Sequence, residues 1–156
     1  MEFLPWGPKP FRLAITACYR DARAAGVGGS ARAAGIEAGA VAEAVARVRA
    51  RLRAGEGLLD LRGSRRPRAA ELAAAAGFRK ADREEGELYA IRPAAFEAWC
   101  GGPGPAREVL TWLGREGHLV PAAQRSPYRQ VMVAGIPGRA RYVCVRAGFV
   151  AGPAGP

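Results

Sequence analysis

The sequence predicts an α+β fold, and three observations carry that expectation. Apolar residues recur at helical spacing, β-prone runs come in pairs around turn-forming residues, and one helix runs directly into one such pair. That last arrangement lies between Pro105 and Arg146. Ala106, Leu110 and Leu113 mark a helical stripe there, widened by Val109 and Trp112, with Arg107, Glu108, Arg115 and Glu116 left for solvent. Pro105 is pre-set for a first helical position, and Gly117 can take the left-handed turn that stops a helix. His118 to Pro121 then lead to a run from Gln130 to Val133, a turn from Ala134 to Gly138 and a second run from Arg139 to Val145. A helix ending in Gly and followed by a basic hairpin reads as the second half of a winged-helix domain. The expected architecture is a helical N-terminal half packed on a winged-helix-like C-terminal half with two β-hairpins.

Taken in order, residues 1–10 read as an irregular arm, because Pro5, Gly7, Pro8 and Pro10 cannot continue a helix. Residues 11–66 form the helical segment. A helix from Phe11 to Ala25 ends at Gly26, and a second from Ala40 to Ala54 carries Val41, Val45, Val48 and Leu52 on one face with Gly55 after its end. Along the second helix Arg47 with Arg51, and Arg49 with Arg53, form two pairs rather than one stripe, since steps of two do not share a helical face. Leu58 to Leu61 is a short strand. The winged-helix-like segment covers residues 67–147. It opens with a short helix from Pro67 to Ala76 and a first hairpin of Phe78-Arg79-Lys80 and Glu87 to Ile91 around an acidic turn, Asp82 to Gly86. A helix from Pro93 to Cys100, carrying Phe96 and Trp99 inward, precedes the stretch described above. Residues 148–156 are rich in Gly and Pro and read as a flexible tail.

A chain of 156 residues suits one domain, or two lobes sharing a core, and 49 % apolar residues is enough to bury one. Ala supplies much of that fraction but little area per residue, so large side chains such as Phe78, Tyr89, Ile91, Phe96, Leu110, Leu113, Tyr142 and Val143 must carry the core. The net charge of +10 points to a polyanionic partner. Nearly every cation is Arg, the pattern a GC-rich genome imposes whatever the function, so the location of the charges matters more than their sum. After Glu116 there is no acidic residue, yet Arg125, Arg129, Arg139, Arg141 and Arg146 follow. A second basic cluster, Arg62, Arg65, Arg66 and Arg68, surrounds Gly63, Ser64 and Pro67. Cys18, Cys100 and Cys144 are widely separated, with no signal peptide ahead of them, which fits free thiols in a reducing cytoplasm. No run of about eighteen apolar residues could span a membrane.

The residue inventory argues against an enzyme, a cofactor and a metal. A phosphate-binding loop needs Gly residues followed by Lys and Ser or Thr, and Gly26 to Ser30 lacks the Lys. One histidine, His118, and three distant cysteines give no zinc-ligand spacing. Asp82, Glu84, Glu85 and Glu87 match no calcium loop, and Ser64 and Ser126 have no candidate base nearby in sequence. A small enzyme would require Glu84, Glu85 and His118 to converge.

Nucleic-acid binding keeps more force. The planar fork of Arg suits phosphate and guanine contacts, and a winged helix can lay one helix in the major groove and its hairpin along the backbone. Candidate contacts are Arg125, Arg129, Arg139 and Arg141, with Tyr128 as a stacking residue and Arg65, Arg66 and Arg68 as a second patch. The preceding helix displays balanced charge, so non-specific contact through the hairpin is expected rather than base reading. The bland alternative is that the hairpin only completes a small sheet, its arginines solvating an edge.

Gly77-Phe78-Arg79, Leu88 to Ile91, Pro93, Phe96 and Trp99-Cys100, then Leu113 to Leu119 and Gly135 to Val143, form a pattern of their own. That pattern resembles the C-terminal end of a helicase-like family of prophages and integrated mobile elements, labelled domain of unknown function 927. The resemblance spans Phe11 to Val145. It implies an accessory module of DNA replication or mobilisation machinery, and with the basic hairpin the expected function is a non-catalytic DNA-binding module with a helicase or ATPase as a possible partner. The family's ATP-binding core is absent from this chain, so no ATPase residue carries over. The alternative function is a protein-interaction module docking onto that partner through Trp6, Trp99, Trp112 or the hairpin edge.

Overall fold

The computed structural model describes residues 30–122 and 126–152, with side chains from residue 38 onward. The expected arm at 1–10, the helix from Phe11 to Ala25, Cys18 and Arg125 lie outside the described residues. The chain divides into two compact units, Met1–Ala38 and Gly39–Pro156, of which the second is described below.

Helix α1, Ser30–Ala54, is the longest element. It begins well before the apolar stripe because an Ala-rich tract propagates a helix without one. Ala44, Val45, Val48 and Leu52 are its buried residues, and Gly55, at φ +68°, closes it by donating its N–H to the Arg51 and Leu52 carbonyls. Strand β1, Leu58–Asp60, is followed by the short helix α2, Ala69–Ala74, whose first turn is held by the Glu71 carboxylate accepting the Arg68 backbone N–H at 2.7 Å. Strands β2, Gly77–Asp82, and β3, Gly86–Ile91, form the expected first hairpin. Its turn is built by the Asp82 side chain, which accepts the Glu84 and Glu85 backbone N–H groups at 3.1 and 3.3 Å.

Helix α3, Pro93–Cys100, has the limits its sequence predicts, with Pro at its start and Gly101 left-handed at its end. Helix α4, Pro103–Arg115, starts at the earlier of two prolines. It buries Ala106, Val109, Leu110 and Leu113, and Gly117, at φ +73°, lets His118 and Leu119 donate back to the Leu113 carbonyl. Strands β4, Tyr128–Val131, and β5, Ala140–Arg146, are antiparallel. Helix α5, Gly148–Ala151, ends the described chain.

The two expected hairpins are joined in one five-stranded sheet, ordered β1-β2-β3-β5-β4. β1 runs parallel to β2, and β5 lies between β3 and β4, antiparallel to both. His118 to Val120 extend the β4 edge: Leu119 bridges Val145, and Val120 donates its N–H to Cys144 at 2.8 Å. β3 and β5 are apolar on both faces, as strands covered on both sides must be. On one face Tyr89, Ile91, Val143 and Val145 pack with residues of α1, α3, α4 and α5. On the other, Phe78, Leu88, Ala90, Tyr142 and Cys144 pack with Leu72 and Ala75 near α2 and with Val131 and Val133.

Two departures from expectation concern the ends of this core. The Gly- and Pro-rich stretch expected to be a flexible tail begins as one helical turn, because Phe149 is fully buried. It sits against Trp112 and His118, with the Arg49 guanidinium 4.6 Å above its ring, while Arg53 donates to the Val150 and Gly152 carbonyls. The connection between β4 and β5 folds back on α2. Gly135 has φ +91°, and a β-carbon there would lie 2.7 Å from Leu72 Cδ1. Replacing Gly135 by Ala combines left-handed strain with that overlap, so it should lower stability by about 1–3 kcal/mol in urea unfolding. Unchanged stability would show that this turn does not dock on α2.

Candidate nucleic-acid interface

The register of β4 on β5 decides what the hairpin presents. Tyr128 stands opposite Val143, Arg129 opposite Tyr142, Gln130 opposite Arg141 and Val131 opposite Ala140. Successive residues point to opposite faces, so Arg129 and Arg141 leave the sheet on different sides. Val131, Val133, Ala140 and Tyr142 belong to the core cluster on the face covered by α2. The residues between them, Gln130, Met132, Arg139 and Arg141, are all exposed, and Met132 retains 68 % of its surface. Tyr128, on that same outward face, is half-buried against the helical layer.

The strip is continuous with α4. A groove of about 620 Å³ runs between α4 and the start of β4, lined by Glu97, Arg107, Thr111, Pro121 and Tyr128 among others. Tyr128 and Pro121 also line a second cleft, of about 680 Å³, which reaches Arg129, Gln130, Arg141 and the turn residues Glu84 and Glu85. Tyr128 therefore joins the helix groove to the hairpin.

Ion pairing sorts the basic residues. Arg139, Arg141 and Arg107 are exposed and form no ion pair with any described residue. Arg129 instead faces Asp82 at 3.7 Å. Partial burial opposes ionisation of Asp82, but the Glu84 and Glu85 amides, with Arg129 nearby, hold its carboxyl below the usual range. Arg146 grips Glu85 at 2.7 Å and donates to the Gly117 carbonyl at 2.6 Å. Both of these cations are neutralised by acids that precede them in the chain, which local charge counting could not reveal. The second basic cluster is also divided: Arg62 pairs with Asp60 and Glu87, and Arg65 with Glu71 at 2.6 Å. Arg66 and Arg68 are exposed, but the connection carrying them follows β1, at the opposite edge of the sheet from β4. Helix α2 leads from there back toward the hairpin, since Leu72, one turn after Arg68, packs against Gly135 of the β4–β5 turn and shares a core cluster with Val131 and Val133.

Gln130 and Met132 were missed by sequence reasoning, which treated this run only as a strand. The signal was present in the alternation of Val131 and Val133 with Gln130 and Met132. α4 displays Arg107, Glu108, Thr111, Arg115 and Glu116, with Arg115 and Glu116 paired at 3.1 Å, so its surface charge is balanced as expected.

The residues weighed for other chemistry have structural employment. His118 stacks near Trp112 and Phe149, with ring centroids 5.9 and 5.3 Å away. The cleft lined by Glu84 and Glu85 is not lined by His118. The Ser126 hydroxyl accepts the Tyr128 backbone N–H at 3.3 Å. Cys100 and Cys144 are buried free thiols whose acidity burial suppresses, pushing each up to about 11, so both are protonated at neutral pH. Among the described residues no group of three His, Cys, Asp or Glu side chains is arranged to hold a metal ion, and no helix is long and apolar enough to cross a membrane. Comparison with known proteins finds no family model, no curated protein and no solved structure that matches the chain.

Proposed function

We propose that this chain is a non-catalytic DNA-binding module that holds phosphates with the arginines of its C-terminal hairpin. The observation carrying the proposal is that Arg141, on the outward face of β5 and lining the cleft that Tyr128 shares with the groove of α4, and Arg139, just before β5, are both exposed and form no ion pair with a described residue. Cations left without an internal carboxylate can exchange their counterions for phosphate, which supplies most of a non-specific affinity for nucleic acid. Connectivity supports a winged-helix reading. Strand β3, helices α3 and α4, and strands β4 and β5 follow one another with β5 central, which sets one helix beside a hairpin as winged helices do. The resemblance to the helicase-like family extends the proposal to an accessory role in replication or mobile-element machinery, with a helicase or ATPase as the protein served.

The balanced charge of α4 favours backbone contact over base reading. Binding of a fluorescein-labelled 20-mer, followed by anisotropy, should therefore depend little on sequence and strongly on salt. With two or three phosphates neutralised, affinity should fall about 10- to 50-fold between 50 and 200 mM salt. Affinity that stays level across that range would remove phosphate contact as the basis of binding.

A further inference from the structure

We propose that the outward face of the hairpin takes a single strand in preference to duplex, its bases lying along Tyr128, Gln130 and Met132 while Arg139 and Arg141 hold the phosphates. This deepens, and rests on, the DNA reading above. The observations that separate single strand from duplex are the apolar and aromatic groups on the strip and the small number of free cations.

Met132 is the large hydrophobic residue left exposed among those described, and it sits between the buried Val131 and Val133. A duplex turns phosphates and sugars outward and hides its base faces, so a thioether against it gains little. An unpaired strand offers aromatic faces, for which a polarisable sulfur and a tyrosine ring are suited. Along a strand every second side chain recurs about 6.8 Å apart on one face, which aligns Tyr128 with Gln130, and the alternation of buried Val131 and Val133 with exposed Met132 continues that row one residue past the end of β4. The neighbouring strand lies about 4.8 Å away and places Arg141 opposite Gln130, and the exposed Arg139 immediately precedes that strand. A row of stackable and hydrogen-bonding groups flanked by a row of cations matches what single-strand binding requires.

The charge count points the same way. Tight duplex binding uses roughly 6–10 phosphate contacts. Along this strip Arg139, Arg141 and, across the groove, Arg107 are the cations without an ion pair to a described residue, while Glu97 lines the groove and Glu108 and Glu116 are displayed by α4. The row is also held in place before any ligand arrives. Ile136 donates its N–H to the Val133 carbonyl at 3.0 Å, and Gly135 packs against Leu72, so little ordering cost falls on binding.

The test compares a fluorescein-labelled 20-nucleotide thymidine strand with a 20-base-pair duplex by anisotropy at 50 mM salt, using the full chain. The single strand should bind at least about fivefold more tightly. Met132→Ala, at a site exposed enough to leave the fold intact, should weaken single-strand binding about 5- to 10-fold and leave duplex binding unchanged. A strand of the same length made of abasic sugar-phosphate should bind more weakly than the Met132→Ala variant binds thymidine, because it loses the contacts to Tyr128 and Gln130 as well. Equal or tighter duplex binding, or single-strand affinity indifferent to Met132→Ala, overturns this inference while leaving the DNA reading standing. Absence of binding to either probe defeats both.

Discussion

Replacing Arg139 and Arg141 together by Ala is expected to weaken DNA binding about 10- to 30-fold at 50 mM salt and to reduce the salt slope by about two. The slope is the informative part, because each lost phosphate contact removes about 0.9 from it on duplex and about 0.7 on a single strand, whatever the sequence of the probe. Neither side chain forms an ion pair with a described residue, and both are exposed, so the thermal midpoint should move little. Arg129→Ala supplies the contrast. Its guanidinium faces Asp82 on the other side of the sheet, so removing it should change affinity far less than the double substitution. If Arg129→Ala proved as damaging as the double variant, the assignment of the two faces would be wrong. An unchanged slope in the double variant would take the hairpin out of the interface.

Phe78→Ala should lower stability by about 3–5 kcal/mol in urea unfolding. The ring is fully buried, meets Tyr142 edge-to-face at 5.8 Å, and has the Arg92 guanidinium 6.0 Å from its centroid. Arg92 is fixed there by donating to the Ala75 and Leu72 carbonyls, both at 2.9 Å, so the site has little freedom to collapse around a missing ring. The loss falls on the layer that also seats the β4–β5 turn, through Leu72, Val131 and Val133. A cost below about 1 kcal/mol would mean that this face of the sheet is loosely packed. The substitution also tests whether the hairpin depends on α2, since its binding strip should loosen along with the core beneath it.

Most elements were legible in the sequence because their limits are chemical. Pro93 and Gly101 bracket α3, Gly117 ends α4, and Asp82 with Gly86 makes the first turn, each through a local conformational preference. What was not legible depends on contacts distant along the chain. The insertion of β5 between β3 and β4, the parallel pairing of β1 with β2 and the burial of Phe149 follow from packing that joins remote segments. The same is true of charge. Asp82 and Glu85 stand far from Arg129 and Arg146 in sequence, yet they pair with those two arginines, whereas Arg139 and Arg141 form no ion pair with a described residue.

One feature of the β4 edge bears on how such a surface could be altered. Val120 is tied to Cys144 and Tyr128 stands opposite Val143, so β5 holds both sides of the seven positions 121–127, whose base is closed by the Ala122 N–H donating to the Ser126 carbonyl at 3.0 Å. Because both anchor points are held by β5, an insertion between Ala122 and Ser126 is expected to leave the register of β4 on β5 unchanged. A longer or more basic sequence, or a fluorescent reporter, could be grafted there beside the tyrosine without shifting the alignment of the sheet, which makes this detour the natural place to re-tune the grip of the protein.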